Sequence, residues 1–250
     1  MSAPAWLTAA PVAHRGFHDA AAGRIENTLS AIGAAADAGF AVEIDVHLSA
    51  DGAVYVFHDH TLDRLTTGTG STEGLTLAAL QAVPFRATAD RIPSLAGVLE
   101  RIGGRVPLVI EVKSLFDGRH DALTRAVVQS IAGYAGPVAV MSFDPRIVAD
   151  VRTLAPHVVR GIVADDARHP EYDRLTPTER TTLAALAHRR ETDPHFVAYW
   201  VKLLPNDVAR TVREDWRLPL LTWTVRTPED RAAAVYADQI IFEGFDPRAG

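Results

Sequence analysis

The sequence predicts an α/β fold on a mainly parallel sheet, and three features carry that prediction. Apolar runs of strand length alternate with helix-length amphipathic segments from one end of the 250-residue chain to the other. Helix starts are marked by Thr, Ser or Pro and stops by Gly. No linker, internal repeat or low-complexity stretch breaks the alternation. The candidate strands are residues 11–14, 41–47, 54–58, 106–112, 137–142, 158–163, 196–201, 218–225 and 239–242. Nine candidates compete for the eight places of a (β/α)8 barrel, so one of the later ones is expected to be short or off the barrel.

Between the strands, Thr28 can cap a helix that runs to Asp37 and stops at Gly39, and Ser94 can cap another. Residues 121–132, 145–154, 177–190, 205–214 and 228–237 read as helices, several with Pro in the first turn, where its missing N–H costs nothing. Residues 60–91 depart from the pattern. They are rich in Thr, Gly and Ser and hold one short helical stretch, 75–83, which reads as an insertion after the third strand within a single domain spanning 1–250.

Composition narrows the function classes. With 48% hydrophobic and 22% charged residues the chain has globular proportions, and a net charge of −6 with scattered basic residues shows no footprint for nucleic acid. The absence of cysteine excludes disulfides, thiolate metal sites and a thiol nucleophile. Apolar stretches reach only about ten residues against the roughly 20 of a membrane span. Residues 1–12 lack the charged and apolar regions of a signal peptide, so a cytoplasmic location is the expectation; oligomeric state is not legible.

Polar residues interrupt the apolar strands at particular places. Glu43 and Asp45 lie two apart on one strand and therefore point to one side; Glu111 and Lys113 repeat the spacing. His14 and Arg15 end the first strand, and His58 and Asp59 the third. In barrels and open parallel sheets alike, such strand ends form the ligand face. Three carboxylates in one pocket repel unless a cation compensates them, and an all-oxygen set selects one hard divalent ion, Mg²⁺ or Ca²⁺. Arg15 and Lys113 add charge suited to a phosphate. Two histidines beside it supply what phosphodiester cleavage needs, one to take a proton and one to give it. His47 and His60 flank this set, His18 reads as a loop residue, and His120, His157, His169, His188 and His195 as surface or core histidines.

The series His14-Arg15-Gly16, Glu26-Asn27-Thr28, Glu43-Ile44-Asp45, Asp51-Gly52, His58-Asp59 and Glu111-Val112-Lys113 resembles the glycerophosphodiester phosphodiesterase family, barrel phosphodiesterases related to phosphoinositide phospholipase C. The likeness continues through Leu62-Asp63-Arg64-Leu65-Thr66 and Ile92-Pro93-Ser94-Leu95, and more loosely through Ser142-Phe143 and Trp223-Thr224-Val225. It implies a (β/α)8 TIM barrel with a small insertion after the third strand. It also implies metal ligands at Glu43, Asp45 and Glu111, an acid/base pair at His14 and His58, and phosphate contacts at Arg15 and Lys113. Glu26 and Asn27 would complete the site or its ligand network, and Trp223 would line the pocket.

The implied reaction is metal-dependent hydrolysis of a small-molecule glycerophosphodiester to sn-glycerol 3-phosphate and an alcohol. Its rivals are a lyase or phospholipase-type enzyme of the same superfamily acting on lysophospholipid or a sugar phosphodiester, and a phosphate-binding module without turnover. A glycosidase is disfavoured, because carboxylates on one strand face the same way instead of flanking a bond. The resemblance lapses at Arg226, where the family has Asn, and at residues 242–247, where it has Thr-Asp before Pro. Arg226 is expected either at the pocket mouth or on the surface, paired with Glu229 or Asp230.

Overall fold

The computed structural model describes residues 3–249; Met1 and Ser2 of the N-terminal stretch, and Gly250, lie outside the described residues. In chain order the elements are β1 (Val12–Ala13), α1 (Leu29–Asp37), β2 (Ala41–Leu48), β3 (Val54–Val56), α2 (Leu77–Ala82), α3 (Leu95–Ile102), β4 (Leu108–Val112), α4 (Asp121–Ile131) and β5 (Val138–Ser142). There follow α5 (Pro145–Leu154), β6 (Val159–Ala164), α6 (Pro177–Ala184), α7 (Arg189–Thr192), β7 (Phe196–Trp200), α8 (Asp207–Arg210), β8 (Leu220–Val225), α9 (Pro228–Ala233) and β9 (Gln239–Phe242). The sheet order is β1-β9-β8-β7-β6-β5-β4-β2-β3, with β1 also paired to β2. This is the ring order of a (β/α)8 barrel with β3 outside the ring, and the fold class is that barrel.

The supernumerary strand is thus the third candidate, not a later one. Ser49 to Ala53 leaves too few residues for a parallel crossover, which needs a dozen or more. It closes a hairpin instead: Ser49 N–H donates to the Ala53 carbonyl, Gly52 takes φ +80°, and β3 runs antiparallel to β2 with Val46 opposite Val56. Asp51-Gly52 between two apolar runs is a hairpin signal in its own right. The eight residues of β2 divide their pairing, Val42 to Val46 against β4 and Val46 to Leu48 against β3.

Two compact units divide the chain. One comprises Ala13–Lys113 and Ala122–Val138. In it Thr28 and Ser94 cap α1 and α3 as their sequence positions predict, each side-chain oxygen accepting a backbone N–H of the first turn. The two helices pack together, α1 offering the small Ala31, Ala35 and Ala36 as buried residues. The segment between β3 and α3 packs Phe57, Leu62, Leu80, Phe85 and Ile92 with Ile25 and Tyr55 into a small core.

The other unit holds the remaining segments, with β6, β7 and β8 in parallel register and a core that includes Ile162, Val197, Tyr199, Val212 and Leu220. Two expected helices are shorter here. Residues 177–190 split into α6 and α7 around Leu186, whose φ of +52° no helix accommodates. Residues 205–214 begin only at Asp207, because Asn206 is the cap, and continue from Thr211 as a wider π turn.

Candidate active site

The residues that converge lie in the first unit. β2 and β4 are in register with Asp45 beside Glu111, and Glu43 lies two residues back on the same face. One carboxylate oxygen from each of the three lies within 4.8 Å of the others, and all three residues are buried. His14 and Arg15 follow directly on β1. Arg15 has φ +56° and Gly16 φ +83°, and a Cβ on Gly16 would stand 2.7 Å from the Ala31 carbonyl carbon, so only glycine lets the turn press against α1. This turn aims the Arg15 N–H at Glu43 Oε2, 2.9 Å away, and leaves His14 Nε2 4.0 Å from the same oxygen.

His58 reaches this site because the hairpin returns: Phe57 N–H donates to the Asp45 carbonyl, so the next residue arrives at the level of the carboxylates. Its Nδ1 is 2.8 Å from Asp59 Oδ1, and its carbonyl is 3.1 Å from His47 Nε2. His47 is itself held between Tyr55, stacked on it, and His60, edge-on. Burial, reinforced by the neighbouring His60, pushes its imidazole down to about 3, so it sits there neutral.

Cations thread the cluster. Lys113 Nζ lies 2.7 Å from Asp45 Oδ1 and 2.5 Å from Glu111 Oε1. Arg15 reaches Asp45 Oδ2 through Nε at 3.2 Å and donates to Glu26 Oε1 at 2.7 Å. Asn27 exchanges two hydrogen bonds with Asp45, Nδ2 to Oδ2 at 2.8 Å and Asp45 N–H to Oδ1 at 3.2 Å. That engages both ends of an almost fully buried amide with Asp45.

Environment separates the three buried carboxyls. Burial and the charges of Asp45 and Glu111 drive Glu43 well above the usual carboxylate range. Burial raises Glu111 also, against the pull of Lys113. Burial would raise Asp45 too, but Lys113 and Arg15 outweigh it and hold Asp45 well below that range. Glu26 and Asp59 are likewise held low against their burial, Glu26 at about 2 by Arg64 and Arg15, and Asp59 by the hydrogen bond with His58 together with Arg64. Glu43 Oε1 is buried and accepts no hydrogen bond.

A divalent cation fits this set. Five carboxylates, Glu26, Glu43, Asp45, Asp59 and Glu111, face three fixed cations, Arg15, Arg64 and Lys113, so two negative charges lack a fixed partner. The three buried carboxylates present only oxygen donors, one of them the orphaned Glu43 Oε1, which suits a hard ion. Arg64 was not singled out for a role by its sequence position alone, although it stands in the Leu62–Thr66 stretch.

Trp223 is on β8 in the other unit. It is half-buried, donates Nε1–H to the Ala198 carbonyl at 3.0 Å, and meets the Phe143 ring edge-on and the Trp200 ring in a stack. Arg226 follows β8 with its side chain about half exposed and paired to Glu243, not to Glu229 or Asp230; Asp230 instead accepts the Arg226 backbone N–H. The two places where the family resemblance lapses thus form one ion pair. Among the described residues no helix is long and apolar enough to cross a membrane.

Comparison with known proteins bears on the family and the fold. The model of the glycerophosphoryl diester phosphodiesterase family matches residues 14–244. A glycerophosphodiester phosphodiesterase of Caldanaerobacter subterraneus subsp. tengcongensis is 34% identical over 149 residues, 55% of this chain and 60% of that protein. Glycerophosphodiester phosphodiesterase 1 of Bos taurus is 30% identical over 223 residues, 85% of this chain and again 60% of the relative. The chain therefore spans about three-fifths of the length of these relatives. In fold it is similar to an Oleispira antarctica phosphodiesterase solved in complex with the product sn-glycerol-3-phosphate, with a TM-score of 0.74 at 22% identity, covering 93% of this chain and 91% of the other. On the extent of the family match, this chain belongs to the glycerophosphoryl diester phosphodiesterase family.

Proposed function

We propose that the protein is a phosphoric diester hydrolase that cleaves glycerophosphodiesters to sn-glycerol 3-phosphate and an alcohol, with one divalent ion, Mg²⁺ or Ca²⁺, held by Glu43, Asp45 and Glu111. The single observation that carries this reading is a buried carboxylate triad with two histidines beside it, His14 Nε2 4.0 Å from Glu43 and His58 close enough for its charge to bear on Asp45 and Glu111. When bound, the metal supplies Lewis-acid stabilisation of charge on the phosphoryl oxygens.

The remaining work falls to the chain's own groups. Arg15 and Lys113, fixed by Asp45, Glu26 and Glu111, present positive charge to the phosphodiester without needing to reorganise. Glu26 and Asn27 act through them, by holding Arg15 and Asp45. Asp59 is ionised and can only accept, so the His58 proton sits on Nδ1 and Nε2 is the nitrogen that exchanges a proton with the reacting oxygen. One of His14 and His58 removes the proton of the attacking oxygen, from water or from the neighbouring glycerol hydroxyl, and the other protonates the leaving alkoxide. A substrate contact for Trp223 rests on the family resemblance alone.

The test is release of glycerol 3-phosphate from glycerophosphocholine, glycerophosphoethanolamine and glycerophosphoinositol, each with Mg²⁺, Ca²⁺, Mn²⁺ or chelator. Metal-dependent release from at least one substrate is expected. Cyclic phosphate as the final product would assign the site to a lyase, and no turnover on any substrate would reduce it to a binding site.

A further inference from the structure

Arg64 comes from the segment between β3 and α3, five residues beyond Asp59. Its guanidinium makes two bidentate pairs at once. Nε and one terminal nitrogen hold Asp59 Oδ2 and Oδ1 at 2.7 and 2.9 Å. The two terminal nitrogens hold Glu26 Oε2 and Oε1 at 2.9 and 2.7 Å. Each carboxylate then passes the constraint on, Asp59 to His58 Nδ1 at 2.8 Å and Glu26 Oε1 to Arg15 at 2.7 Å. Geometry of this kind needs a planar fork; a lysine ammonium is a point charge and cannot satisfy both carboxylates in two parallel pairs.

Arg64 is also held from behind. Its neighbours Leu62 and Leu65 pack into the small core of Tyr55, Phe57, Leu80 and Phe85, Thr66 donates to the Leu62 carbonyl through both N–H and Oγ1, and Arg86 N–H bonds the Leu65 carbonyl. The segment is a folded support with an arginine at its site-facing edge, and its half-exposed guanidinium pairs with Glu26 and Asp59 rather than with the three carboxylates proposed to hold the metal.

We propose that Arg64 is the positioning residue through which this insertion acts on catalysis, fixing the His58 ring through Asp59 and the Arg15 guanidinium through Glu26. The inference rests on the proposed hydrolysis for its kinetic consequence, but its structural half, the state of the His58 ring, does not. Without Arg64 the Asp59 carboxylate turns to solvent, His58 samples both tautomers and more than one rotamer, and Arg15 keeps Asp45 but loses its oriented Glu26.

The experiment combines turnover of a glycerophosphodiester with nitrogen NMR of the histidine rings, in wild type, Arg64→Ala, Arg64→Lys and, as a control from the same segment, Arg86→Ala. Expected are a kcat lowered about tenfold or more in Arg64→Ala with KM changed less than about threefold, partial rescue by added guanidinium, and only partial recovery in Arg64→Lys. The His58 ring should change from a single Nδ1–H tautomer to a mixture in Arg64→Ala and stay single in Arg86→Ala. Addition of Arg64→Ala to Asp59→Ala should cost less than it does alone, since both cut the route to His58 and only the route through Glu26 is left to lose. Wild-type kcat in Arg64→Ala, fully additive losses, or an unchanged His58 ring would each overturn the proposal. If Arg64→Ala fails to fold, Arg64→Lys decides: wild-type kcat and an unaltered His58 ring there would equally overturn it. An inactive wild type would instead refute the hydrolase reading, and the ring spectra would still decide the role of Arg64.

Discussion

The ends of β2 and β4 and the ends of β7 and β8 solve different physical problems. In the first unit every group at the site is ionisable or an amide, and Arg15, Glu26, Asn27, Glu43, Asp45, Glu111 and Lys113 are each held at a hydrogen-bonding distance by a particular partner. At β7 and β8 stand Trp200 and Trp223, with Phe143 and Tyr172 continuing the ring contacts at centroid separations of 5.4 to 6.4 Å. Burying charge is costly unless every ion is paired, so the charged ends tolerate almost no substitution without leaving an unpaired ion behind. Aromatic contacts are worth about 0.5–1.5 kcal/mol each beyond their area and accept other large apolar side chains. Substitution should therefore be far more costly at the charged ends than at the aromatic ones.

That contrast can be broken or sharpened by substitution at five positions, with His188 as a control. The largest effect is expected at the histidines: positioned acid/base groups contribute ~10²- to 10⁴-fold, so His14→Ala and His58→Ala should each lower kcat by that order with little change in KM. Steady-state kinetics decide it, and near-wild-type kcat in either variant would remove that histidine from the reaction. His188, buried in the other unit with its imidazole pushed down by burial, should be kinetically silent as His188→Ala.

Next comes Glu26, whose effect should appear in acid stability. Its carboxyl is held at about 2 in the folded chain against an unfolded value near 4.5, so its contribution is fully present above the unfolded value and is lost as pH falls toward 2. Melting temperature measured from pH 6 to pH 2 should fall more steeply in wild type than in Glu26→Gln; parallel curves would mean that the Arg15 and Arg64 contacts do not form in solution.

A smaller and differently shaped effect is expected from Trp223→Ala. KM should rise about tenfold while kcat stays within about threefold, and Trp223→Phe should restore most of the affinity. A loss confined to kcat would contradict a substrate contact for Trp223. Arg226→Asn should do least. Its partner Glu243 shares an exposed ion pair of the kind worth roughly 0–1 kcal/mol, so the ratio of kcat/KM for glycerophosphoinositol to that for glycerophosphocholine should stay within about twofold of wild type. A tenfold shift would place the pair against the substrate.

The same contrast explains what could be read from sequence. Glu43, Asp45 and Glu111 were legible because a carboxylate inside an apolar strand has few explanations and strand periodicity fixes its side. Helix caps at Thr28 and Ser94 were legible because capping is local. The antiparallel course of β3 was legible in Asp51-Gly52 and the short gap, yet counting strands alone assigned it to the ring. Arg64 was not, because its partners Glu26 and Asp59 lie 38 and 5 residues away and meet only after the insertion has folded. The Arg226–Glu243 pair was hidden for the same reason: residues 17 apart on successive strand ends become neighbours only through sheet pairing.

The central claim is that the buried triad of β2 and β4 works as a metal site for phosphodiester cleavage. The most direct measurement follows glycerol 3-phosphate release and metal binding together, titrating Mg²⁺ or Ca²⁺ into chelator-stripped protein, in wild type and in Asp45→Asn. Turnover is expected to rise from background in step with occupancy of one ion per chain, and both curves should shift to much higher metal concentration in Asp45→Asn. Full turnover by the stripped protein in excess chelator, or metal binding unaffected by Asp45→Asn, would contradict it.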